Sequence, residues 1–104
     1  MIVPAAVVHR AELDSAVENV ARTLAPDLVR IRYDLAEDWS GDLAIFFRVL
    51  LSDDASSRER LHEAATRVRE QLERHVDFQE LGVFPYHNFR GAAEQAVLRD
   101  AAWE

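Results

Sequence analysis

The stretch Leu28–Leu51 constrains the fold more than any other part of the chain. It reads Leu28-Val-Arg-Ile-Arg-Tyr-Asp-Leu35, then Ala36-Glu-Asp-Trp-Ser-Gly-Asp42, then Leu43-Ala-Ile-Phe-Phe-Arg-Val-Leu-Leu51. In the first segment Val29, Ile31, Tyr33 and Leu35 alternate with Arg30, Arg32 and Asp34. A period of two with β-branched and aromatic residues predicts a half-buried strand. In the second, Leu43, Ile45, Phe47, Val49 and Leu51 form one face, and Ala44, Phe46, Arg48 and Leu50 the other. A strand apolar on both sides is central in its sheet, or is covered on its second side. The loop between them, Ala36 to Asp42, is too short for a parallel return, so the two strands should be antiparallel neighbours. Gly41 can supply a positive φ in the turn, and Asp38, Ser40 and Asp42 can bond local backbone amides.

Helical patterns flank this hairpin. From about His9 to Ala25, Leu13, Val17, Val20 and Leu24 recur at helical spacing, with Pro26 as the stop. Pro4 suits an extended start before it. After the second strand, Leu61, Ala65, Val68, Leu72 and Val76 form an apolar stripe. Glu63–Arg67, Arg69–Glu73 and Glu70–Arg74 are i,i+4 pairs on the opposite face. Ser56 with Glu59 has capping-box spacing, and Asp54 is a rival N-cap. Gly82 to Phe89 can form a third strand, confined to an edge or interrupted by Pro85. Gly91 to about Arg99 reads as a short helix. Trp103 is a large docking group near the end, where residues otherwise fray.

Composition limits the function classes. With 104 residues the chain makes one domain and can bury a core without staples. It has no cysteine, so disulfides and thiolate metal sites are excluded. No apolar run is long enough to span a bilayer. The first ten residues lack the basic region of a signal peptide, so a cytoplasmic location is expected. A net charge of −7 opposes non-specific nucleic-acid binding. All twelve basic residues are arginine, which forks onto carboxylate or phosphate; no lysine is present to act as a nucleophile.

Four groups of residues carry possible chemistry. The acidic loop Glu37–Asp42, with Asp34, Asp53 and Asp54, could hold Mg²⁺ and phosphate. Turn and helix-start chemistry explains the same acids more simply. Trp39, at the loop tip, either folds back on the core edge or stands as an exposed anchor of the kind enriched at binding hot spots. His9, His62, His75 and His87 are scattered, and none has the spaced partner of a zinc site. In Tyr86-His-Asn-Phe-Arg90, Asn88 and Arg90 could bond a ligand. The simpler reading has Phe84, Tyr86 and Phe89 pinning the tail.

In layout, residues 13–76 resemble the minimal nucleotidyltransferases of bacterial two-gene modules, with helix, strand, loop, acidic strand opening and helix in that order. Asp38-Trp-Ser-Gly-Asp-Leu-Ala-Ile-Phe-Phe47 stands where those families carry a Ser-Asp-x-Asp-apolar run. The chain departs from them in three places. No Gly-Ser motif follows the first strand, Ala44 replaces the second aspartate, and Val83–Phe89 contains no aspartate. The resemblance therefore implies a degenerate relative that has lost catalysis and keeps a partner-binding role. In those families the partner is a helical HEPN-type protein.

The expected fold is a single α+β domain over residues 1–104, in two layers. A small antiparallel sheet carries amphipathic helices on one face, in the order α-β-β-α, then a weak strand and a short helix. The expected function is a non-enzymatic, cytoplasmic protein-interaction module without cofactor or metal, acting on a protein partner or as a homodimer. Its contact surface is the second sheet face and its loop: Arg30, Arg32, Trp39, Phe46, Arg48 and Leu50. The alternative is a nucleotide- or phosphate-binding protein, or a nucleotidyltransferase-like enzyme, using Asp38, Asp42, Asn88 and Arg90 with the strand arginines. A third reading, nucleic-acid binding through the arginine face, is disfavoured by the charge.

Overall fold

A computed structural model describes residues 5–104; the extended start expected at Pro4 lies outside them. The elements are α1 (Ala5–Val8), α2 (Arg10–Thr23), β1 (Leu28–Glu37), β2 (Leu43–Leu51), α3 (Leu61–His75), α4 (Phe78–Leu81), β3 (Phe84–Gly91), α5 (Ala92–Leu98) and a 3₁₀ turn, Ala101–Trp103. The fold is α+β around one three-stranded sheet of order β1-β2-β3. β2 is the central strand, and this is why both of its faces are apolar. No helix among the described residues is long and apolar enough to cross a membrane.

β1 and β2 pair antiparallel, from Arg30 opposite Leu50 to Glu37 opposite Leu43. β3 does not continue the expected antiparallel sheet. It runs parallel to β2, from Phe84 beside Ala44 to Gly91 beside Leu51. The cause is the connection: residues 52–83 carry α3 and α4 back along the sheet, and a crossover of that length permits parallel pairing.

The register stacks the first face in rows: Ile31, Val49 and Phe89; Tyr33, Phe47 and His87; Leu35, Ile45 and Pro85. Leu13, Val17 and Val20 of α2, and Val68 and Leu72 of α3, join this face in one core. Leu61, expected in the same stripe, is 39 % exposed, because α3 begins there and its first turn overhangs the sheet. At the centre, the Phe47 ring stacks on His87 with centroids 5.4 Å apart and meets Phe78 edge-on at 5.9 Å. The Tyr33 hydroxyl bonds Asp14 of α2, and Arg69 of α3 lies over the Phe89 ring at 5.3 Å. α2 thus packs on β1, and Arg69 of α3 reaches β3. Burial, together with the Asp14 carboxylate, pushes the Tyr33 hydroxyl up to about 12.

The approach to α3 differs from the capping pattern. Residues 52–60 form turns, and the helix starts after Arg60 without a side-chain cap. Asp54 pairs instead with Arg60, whose guanidinium also holds Asp27 at 2.7 Å. Those Arg60 hydrogen bonds hold the Asp27 carboxyl below the usual carboxylate range.

Candidate functional site

The second sheet face is also laid out in rows: Arg30, Leu50 and Arg90; Arg32, Arg48 and Asn88; Asp34, Phe46 and Tyr86; Ala36, Ala44 and Phe84. The chain's own C-terminal segment divides these rows into two halves of different chemistry.

The first half is occupied. Three arginines hold three consecutive carbonyls: Arg48 Nε donates to Ala102 at 2.7 Å, Arg30 Nε to Trp103 at 3.3 Å, and Arg32 Nε to Glu104 at 3.0 Å. Arg90 lies over the Trp103 ring at 4.2 Å and donates to Gln95 at 2.7 Å. Trp103 is 8 % exposed, and Leu50, in register between Arg30 and Arg90, is 4 % exposed. Leu50 is therefore core and not a partner contact. Arg30 and Arg48 serve an internal cap instead of facing outward. The physical reason is that the arginine Nε–H groups satisfy carbonyls the short 3₁₀ turn leaves unbonded, while Trp103 covers the apolar centre of the row. The expectation that helices sit on one face alone is corrected in the same way.

The second half is open. Phe46 and Tyr86 stack at 5.0 Å with planes 12° apart. Phe84 lies 5.0 Å from Tyr86 along β3, and Trp39 reaches over from the hairpin loop to 5.5 Å from the same ring. Tyr86 thus sits at the centre of four aromatic groups. Two of them face water: Trp39 is 85 % exposed and Phe84 59 %. Trp39 stands exposed and does not cover the core edge. Phe84 and Tyr86, expected to pin the tail, instead join this cluster. Their i,i+2 spacing marks them as facing one way, but the parallel register was needed to set them beside Phe46.

The loop carboxylates hold the hairpin in shape. Asp38 Oδ1 accepts from the backbone N–H of Ser40 at 2.9 Å, from the Ser40 hydroxyl at 2.6 Å and from the N–H of Asp42 at 3.1 Å. Its Oδ2 accepts from the Tyr86 hydroxyl at 2.8 Å. The Ser40 hydroxyl bond, with Tyr86 and the two amides, holds the Asp38 carboxyl below the usual carboxylate range. Burial and the Asp38 carboxylate push the Tyr86 hydroxyl up. The bond from Tyr86 to Asp38 ties β3 to the loop and fixes the ring that carries the cluster. Gly41, at φ 87°, takes the left-handed turn position that an L side chain resists.

The residues of the ligand-binding alternative are not brought together. Asp38 and Asp42 lie at the loop, where Asp42 accepts from the Ser40 hydroxyl at 3.1 Å. Asn88 is exposed in mid-strand, and Arg90 is engaged with Trp103 at the far end of the sheet. Among the described residues no group of three histidine or acidic side chains is placed to hold a metal ion. A comparison with protein families matches no family model, and a comparison with curated proteins gives no match.

Proposed function

We propose that this chain is a protein-interaction module that grips a partner protein with Trp39, Phe46, Phe84 and Tyr86. The observation that supports this most strongly is the exposure of Trp39 and Phe84 against a half-buried, bonded Tyr86–Phe46 base. Single exposed apolar residues mean little, but a contiguous aromatic patch on a rigid sheet is the composition of an interface centre. Rigidity matters because groups already ordered lose little entropy on binding. Glu37, Asp38 and Asp42 border the patch, so the partner surface should combine an apolar centre with a basic rim. The same acids and the net charge of −7 repel phosphate backbones. The layout resemblance to degenerate nucleotidyltransferases points in the same direction, to a helical protein partner.

The test is affinity capture with wild-type, Trp39→Ser and Phe84→Ser baits, followed by titration with the purified captured protein. Both variants should keep the native far-UV spectrum and lose at least about 30-fold in affinity, the scale of a hot-spot aromatic. A partner that binds all three baits equally, or no saturable partner at all, would refute the reading.

A further inference from the structure

β1 is ten residues long and lies at one edge of the sheet, with no strand beside its outer side among the described residues. Proteins usually blunt such an edge with proline, a bulge or a covering element. The other edge strand follows this rule, since β3 carries Pro85. β1 has no proline, and its one irregularity lies at its start, between Leu28 and Arg30.

The hairpin shows which backbone groups of β1 are free. Asp38 N–H donates to the Asp42 carbonyl at 2.8 Å, so these two residues continue the ladder as a hydrogen-bonded pair. Bonded and non-bonded pairs alternate along an antiparallel ladder. Arg30, Arg32, Asp34 and Ala36 therefore aim their N–H and C=O groups at β2, while Ile31, Tyr33 and Leu35 aim theirs outward. Among the described residues no backbone bond outside the sheet ladders reaches those three. A groove of about 450 Å³ runs beside this edge, lined by Arg10, Asp14 and Val17 of α2 and by Val29, Ile31 and Tyr33. Val29, within it, is 49 % exposed.

We propose that a second copy of this chain docks at this edge, β1 against β1, antiparallel about a two-fold axis through Tyr33. Charge supports this occupant and, among axes centred on Ile31 to Asp34, selects the register. In a self-paired antiparallel strand, residues opposite each other must belong to the same face. An axis at Ile31 would set Arg30 against Arg32 of the second copy. An axis at Arg32 would set Arg32 against itself, and one at Asp34 would set Asp34 against itself. The axis at Tyr33 sets Arg32 opposite Asp34 twice and Ile31 opposite Leu35 twice, with no like charges facing.

The Arg32–Asp34 positions are then non-bonded pairs, where facing side chains come closest. Ile31, Tyr33 and Leu35 exchange about six backbone hydrogen bonds across the axis. Both charged groups have capacity left. Among the described residues Arg32 bonds through Nε toward Glu104 and Asp34 through Oδ2 toward Arg48, each leaving further atoms without a partner. The product is one continuous sheet through both copies. Trp39 and Phe84 lie outside the contact, so this inference stands apart from the partner-binding reading.

The test uses charge reversal and mixing. Sedimentation across a concentration series should show a dimer for the wild type. Arg32→Asp faces Asp against Asp, and Asp34→Arg faces Arg against Arg. Each should raise the dimer dissociation constant at least about tenfold while keeping the wild-type far-UV spectrum. An equimolar mixture of the two variants restores both opposite-charge pairs and should dimerise like the wild type, while capture through Trp39 and Phe84 stays unchanged in each. A monomeric wild type, variants that dimerise normally, or a mixture that stays monomeric would overturn the proposal.

Discussion

His87 lies on the covered sheet face, stacked between Phe47 at 5.4 Å and Phe89 at 6.5 Å, and its buried Nε2 has no hydrogen-bond partner among the described residues. Burial among these rings, with the Arg69 guanidinium nearby, lowers its pKa from 6.5 to about 4. The folded chain therefore holds it neutral, whereas the unfolded chain takes up a proton below 6.5. The associated stability is complete above about pH 6.5 and is lost progressively as pH falls toward 4. At about 1.4 kcal/mol for each tenfold change, the full loss is bounded at about 3 kcal/mol, and partial solvent contact brings the expected value to about 1–3 kcal/mol.

The perturbation is His87→Phe, which continues the stack and does not titrate. Urea unfolding at pH 7, 6 and 5 should show the wild type losing stability stepwise and the variant losing markedly less. The comparison rests on the slope with pH, so any overpacking cost of the larger ring cancels. Equal losses in the two proteins between pH 7 and pH 5 would refute the assignment of that stability to His87.

Two other substitutions follow from packing. Leu72 is fully buried against the sheet, so Leu72→Ala should cost about 2–5 kcal/mol in denaturant unfolding, while Leu61→Ala, at the exposed start of α3, should cost less than about 1 kcal/mol. A Cβ on Gly91 would stand 2.5 Å from Ser56 Oγ, so Gly91→Ala should lower stability by about 1–3 kcal/mol, and Ser56→Gly in the same chain should restore most of it.

Local pattern alone was enough for β1, β2, α2 and α3, because period two and period 3.6 are written directly in residues such as Ile31, Tyr33 and Leu35 or Val68 and Leu72, whereas α1, α4 and the closing 3₁₀ turn carry no such period. It also placed the hairpin and its turn, since the short link read as Ala36–Asp42 leaves only an antiparallel return; in the structure β1 runs on to Glu37 and the link shortens to Asp38–Asp42. Trp39 could be singled out from its position at the loop tip, though not its direction. What pattern could not supply was any relation between segments distant in sequence. The direction of β3 depends on how a 32-residue connection packs, and no local signal in Phe84–Gly91 encodes it.

From that direction follow the placing of Tyr86 on Phe46 and of His87 on Phe47, and hence the aromatic platform and the half-buried imidazole. The fate of the second face was likewise undecided in sequence. Arg30, Arg48 and Leu50 have the alternation of an open surface, and a cap of three residues more than fifty positions away closes it. Side-chain period is a property of the backbone conformation, readable from neighbours. Which surface meets which is settled only when the whole chain has to bury its apolar area and bond its polar groups at once.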